Sequence, residues 1–88
     1  MSLDRQLLID IGEALYGPEW RRKLARALGP LHPKGARETI DIRLPARWAV
    51  GERAIPAWVG PALRRLINER EASLMALAQR VGIDKGDE

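Results

Sequence analysis

Three times this chain places a proline directly after a glycine: Gly17-Pro18, Gly29-Pro30 and Gly60-Pro61. Such a pair cuts a chain into short segments. Glycine takes up the left-handed backbone that ends helices, and proline is tolerated only in a helix's first turn because it lacks an N–H. Between these marks the apolar residues recur every three or four positions. Leu3, Leu7, Leu8, Ile11 and Leu15 do so before Gly17, and Trp20, Leu24, Ala27 and Leu28 before Gly29. Val59, Leu63, Leu66, Ile67, Leu74, Leu77 and Val81 continue the pattern up to Gly82. That period is helical. The spacing predicts an all-α fold, a small helical domain of four helices near residues 3–16, 18–28, 41–50 and 56–81.

Local chemistry refines these spans. Ser2 is the expected N-cap of the first helix. Pro18 is expected in the first turn of the second, and Gly29 as its left-handed C′ residue, with Pro30 preventing continuation. Residues 29–38 hold two prolines and two glycines and predict a loop. In Thr39–Leu44, Ile40, Ile42 and Leu44 alternate as in a strand, while Ile40, Leu44 and Trp48 are spaced as in a helix. A lone strand would lack a partner, so a helix from near Asp41 is expected, with Pro45 in or just after its first turn and Gly51 at its end. The last helix would be ~39 Å long at ~1.5 Å per residue, bent near Gly60-Pro61, with Ile83–Glu88 a frayed tail.

Eighty-eight residues predict one domain, 1–88. Such a chain buries roughly 60% of its surface, which leaves no room for a deep substrate cavity. There is no cysteine and one histidine, His32, so a thiolate zinc site and a cysteine or histidine-paired nucleophile are not available. No glycine-rich phosphate loop is present. The expectation is a protein that is not an enzyme and needs no cofactor. No apolar run approaches the ~20 residues that span a bilayer, and Met1–Gln6 does not read as a signal peptide, so the expected location is the cytoplasm. The net charge of +3 is unevenly spread: residues 18–53 hold nine lysines and arginines against four acids, +5, which leaves −2 for the ends. A basic middle suits a polyanion.

Gly17-Pro18-x-Trp20, Leu24-Ala25-x-x-Leu28-Gly29, Arg47-Trp48-x-x-Gly51 and Ile55-Pro56 together resemble small bacterial helix-turn-helix DNA-binding proteins, of the phage-, prophage- and plasmid-associated transcriptional regulator type. The resemblance covers roughly residues 5–75. It implies that Ala25 and Gly29 are the small residue of the bracing helix and its turn glycine. It also implies that Trp48 fixes the recognition helix to the core, and that Asp41, Ile42, Arg43 and Arg47 face bases and phosphates. Two departures stand out. Trp48 lies about ten residues further from Gly29 than that motif's short turn allows. Pro45 takes the place of a β-branched residue.

Arg43 and Arg47, four apart, share a helical face, and the arginine fork matches the guanine O6/N7 edge or a phosphate. Beside them stands the alternative that they pair with Asp41 and Glu38. Lys34, Arg37, Arg22, Arg26 and Arg53 are candidate phosphate contacts, helped by loop N–H groups at Lys34 and Gly35. Trp20, Trp48 and Trp58 are expected in the core, with Tyr16 structural. The expected partners are double-stranded DNA and a second copy, through a Leu63–Leu66–Leu74–Leu77 stripe on the last helix. The competing reading is a small phage-type protein-interaction module that binds an acidic partner protein.

Overall fold

The computed structural model describes residues 3–82. Among them are four α-helices and no strand: α1 (Arg5–Tyr16), α2 (Trp20–Leu28), α3 (Leu44–Ala49) and α4 (Val59–Gly82). A single 3-10 turn, Gly29–Leu31, follows α2 directly. The all-α architecture with a long last helix matches the apolar spacing. The boundaries move for local reasons. α1 starts late because Asp4 caps it, its carboxylate accepting from the Leu7 N–H at 2.8 Å. An anionic cap also answers the positive helix end. Ser2, the expected cap, and the tail 83–88 lie outside the described residues. α2 starts at Trp20, which leaves Pro18 in the preceding turn.

Gly29 departs furthest from expectation. Its φ of −52° and ψ of −53° are right-handed, and Pro30 sits in the first turn of the 3-10 segment that continues the chain. What requires glycine here is space. A Cβ at position 29 would lie 2.5–2.7 Å from the Arg37 carbonyl oxygen and from N and Cα of Thr39. The returning loop passes directly against α2. The Arg37 N–H donates to the Gly29 carbonyl and the Ile40 N–H to the Ala25 carbonyl, both at 3.1 Å. Carbonyls at a helix C-terminus have no partner within the helix, and here the loop supplies one to Ala25; the Gly29 carbonyl accepts the Arg37 N–H beside that of His32.

Thr39–Arg43 is neither strand nor helix. Asp41 instead opens a turn: its carbonyl accepts from the Leu44 N–H at 3.0 Å and its carboxylate from the Arg43 N–H at 3.0 Å. α3 therefore begins three residues later than expected. Pro45 falls in its first turn, where no N–H is needed.

Trp20 and Trp48 are the largest buried side chains, packed with Leu8, Leu24, Leu28, Ile40, Val59 and Leu63. α1 comes this close to α2 because residue 12 is glycine; a Cβ there would run into the Trp20 ring. Trp58 is only half-buried, tilted against His32 with ring centroids 5.0 Å apart. α4 is ~36 Å long at ~1.5 Å per residue, and Gly60-Pro61 lies in its first turn, where proline is accommodated. Only Val59, Ala62 and Leu63 of this helix are buried. No described helix is long and apolar enough to cross a membrane.

Candidate nucleic-acid interface

The loop that closes on α2 decides where the basic residues stand. Ten extra residues would carry α3 away from α2 if they ran on freely. The bonds at Gly29 and Ala25 instead loop them out and return Ile40 to the core beside Ala25. α3 then packs on both α1 and α2 through Pro45 and Trp48. The short α3 is thus held against α2, with Ile42 and Arg43 exposed just before it.

Arg43 and Arg47 lie one turn apart, the Arg47 N–H donating to the Arg43 carbonyl at 3.1 Å. Neither side chain stands alone. Arg43 grips the Asp41 carboxylate with both arms of its fork, Nε at 3.1 Å and Nη2 at 3.0 Å. Hydrogen bonds from the Arg43 side chain and backbone hold the Asp41 carboxyl down at about 2, well below its ordinary 3.8, and the same bond raises the Arg43 pKa. Asp41 therefore serves as the turn former and as a carboxylate clamp on Arg43, not as a side chain free to face a base. Arg47 is half-buried, with its Nε 4.0 Å from Glu52. The pairing foreseen with Asp41 is present; the one with Glu38 is replaced by Glu52.

Lys34 and Arg37 are both exposed on the loop. The backbone N–H groups expected to be free there are occupied: Lys34 donates to His32 Nδ1 at 3.1 Å, and Gly35 donates to the His32 carbonyl at 3.1 Å. His32 accepts through Nδ1, a bond that favours the neutral imidazole. Desolvation, followed by the nearby Arg37 and Lys34 charges, lowers its pKa. His32 also anchors the loop on Trp58. The Arg37 Nε donates to the Gly35 carbonyl at 3.2 Å, which steers its guanidinium locally.

Arg22 and Arg26 are exposed on α2, where they line a shallow cleft with Arg21, Lys23, Pro18 and Glu19. Arg21 is partly committed, its guanidinium 5.1 Å over the Trp20 ring. Arg53 is exposed beyond Gly51. Among the described residues no carboxylate pairs with Arg22, Arg26, Lys34, Arg37 or Arg53. One further cation had no sequence signal: Arg5, at the start of α1, lays its guanidinium over the turn at Gly51, where a Cβ would meet its Nη1 at 2.6 Å. Only tertiary packing of α1 beside α3 brings it there.

The described residues contain no group of histidines and carboxylates that could hold a metal. Arg22 and Arg26 share one cleft on α2, and Lys34, Arg37, Arg43 and Arg53 are exposed elsewhere on the chain. Compared with known protein families, curated proteins and solved structures, the chain matches none.

Proposed function

We propose that this protein binds double-stranded DNA sequence-specifically and acts in transcriptional regulation, as a cytoplasmic homodimer of the phage- and prophage-associated helix-turn-helix type. The observation that carries the reading is the closure of the 29–40 loop on α2. It keeps α3 packed against α2 despite the long loop, which supports reading the pair as a bracing and a probing helix of the kind that address a major groove. Around that pair Arg22 and Arg26 on α2, Lys34 and Arg37 on the loop, and Arg53 after α3 offer phosphate contacts. Arg43 and Arg47 supply the base-reading forks and Ile42 an apolar contact. The Arg43–Asp41 pair is open to solvent, and exposed pairs are weak enough for Arg43 to exchange its carboxylate for a phosphate or a guanine edge.

The test separates readers from backbone binders. Arg43→Ala and Arg47→Ala should narrow the gap between a preferred site and random duplex by about tenfold to a hundredfold. Lys34→Ala and Arg37→Ala should weaken both alike and reduce the slope of log affinity against log salt by ~1 each. If all four leave duplex binding unchanged, the basic surface is not a DNA surface. The acidic-protein reading then takes its place, and the Arg43–Asp41 clamp becomes its precedent.

A further inference from the structure

The distal half of α4 buries none of its residues. From Glu71 to Gly82 every residue is exposed, a rod of ~18 Å that draws the molecule out to 53 Å against 27 and 26 Å in the other directions. This rod is not a polar spacer. Leu74, Met75, Leu77 and Val81 are 55%, 57%, 51% and 73% exposed, and Ile67, just before them, is 38% exposed. Their spacing gathers them on one broad side of the helix. Leu63 and Leu66, expected in the same stripe, are spent within the molecule: Leu63 is buried and Leu66 packs against the core. Where the free side passes the end of α1 it forms a groove of about 670 Å³ with Ile11, Ala14 and Leu15. Arg70 leaves the groove open, reaching back to the Leu15 carbonyl and over the Tyr16 ring, 5.7 Å from its centroid.

We infer that this groove receives the distal half of α4 from a second copy of the chain, the two helices running antiparallel about a two-fold axis beside Leu74 and Leu77. A two-fold interface needs one patch that complements itself, and here groove and ridge lie side by side on the same helix face. On the α1 side the groove is walled by the end of that helix, Asp10 to Leu15, and on the α4 side by Ile67 to Ala78. The area suffices. At roughly 1.45 Å² per dalton for an extended chain, the five residues expose on the order of 450 Å² per copy. Two copies offer up to about 900 Å² of surface in these residues, and flanking residues and the end of α1 bring the total near the ~1,000 Å² of a specific interface. A parallel pair would leave the groove empty and set Glu71 beside Glu71 and Arg80 beside Arg80; the antiparallel pair fills it and opposes the helix dipoles.

This interface rests on the homodimer of the proposed reading and not on its DNA contacts, and it is tested without DNA, so its failure leaves the DNA contacts to their own test. Sedimentation equilibrium at micromolar concentration should give twice the 9.9 kDa chain mass. Leu74→Glu and Leu77→Glu, at positions exposed in the single chain, should return the mass to 9.9 kDa with helical circular dichroism retained. The chain has no cysteine, so Val81→Cys introduces a lone thiol. In the antiparallel pair the two thiols stand about 16 Å apart along the axis, beyond the ~7 Å reach of a disulfide, so oxidation should not link them. A wild-type monomer at every micromolar concentration overturns the proposal. Glutamate variants that stay dimeric overturn its placement, and a disulfide-linked Val81→Cys dimer overturns its direction.

Discussion

A Gly29→Ala substitution adds one methyl group where the chain returns to α2. The added Cβ would stand 2.5–2.7 Å from three backbone atoms of Arg37 and Thr39. Comfortable carbon contacts are about 3.5–4.0 Å, so the returning strand of the loop must retreat by about 1 Å. Backbone cannot swing aside as a flexible side chain can. Overpacking of this kind destabilises by about 1–3 kcal/mol. The retreat also strains the Arg37–Gly29 and Ile40–Ala25 hydrogen bonds, each worth about 0.5–1.5 kcal/mol net. Against these stands a gain of about 0.8–1.0 kcal/mol, because alanine prefers the helical φ and ψ that Gly29 already has. The balance is a loss of about 2–3 kcal/mol. In a domain of this size that lowers Tm by about 10–20 °C. Urea unfolding should show the midpoint fall with the slope unchanged. A variant as stable as its parent, or more stable, refutes the reasoning, since it would mean that the loop does not press on α2 at this point. Because the same loop carries Lys34 and Arg37, the variant should also weaken duplex binding on any sequence.

Trp48→Ala removes one of the two largest buried side chains and should cost ~3–5 kcal/mol in chemical denaturation; a change under ~1 kcal/mol would place the ring on the surface. Asp41 makes a pH prediction. Its folded pKa of about 2 lies below the ordinary 3.8, so the unfolded chain binds more protons between these values. The contribution of Asp41 is complete above the upper value and is lost as pH falls towards the lower. Asp41→Asn should therefore flatten the fall of Tm over that interval, and identical slopes for variant and parent would remove Asp41 as its source.

Much of the helical content was legible because its signals are local. Apolar spacing of three and four marks a helix whatever it packs against, and Gly17 and Gly51, both with positive φ, end α1 and α3 as their positions suggest. In a chain without phenylalanine, volume pointed to all three tryptophans as core; Trp20 and Trp48 are buried, whereas Trp58 is half-buried at the edge of the core beside His32. The basic residues were equally plain by type and position. Their commitments were not. The residue order left the Arg43–Asp41 pair as one of two readings, and nothing in it says that Arg47 approaches Glu52 and not Glu38, or that His32 takes the Lys34 N–H, because each depends on backbone angles in an irregular segment.

Only the tertiary structure decided the remainder, and for a common reason: these features are contacts between residues distant in the chain or matters of where the body of the molecule ends. Gly29 looked like a helix terminator and is a point of close approach, since the atoms that crowd it belong to Arg37 and Thr39. Arg5 reaches the turn after α3 because α1 packs there, forty-six positions away in the chain from Gly51. The apolar stripe of α4 is continuous in sequence from Val59 to Val81, yet its first part is core and its last part is free. Periodicity shows which face of a helix is apolar; how far along that helix the other helices reach is set by their lengths and packing.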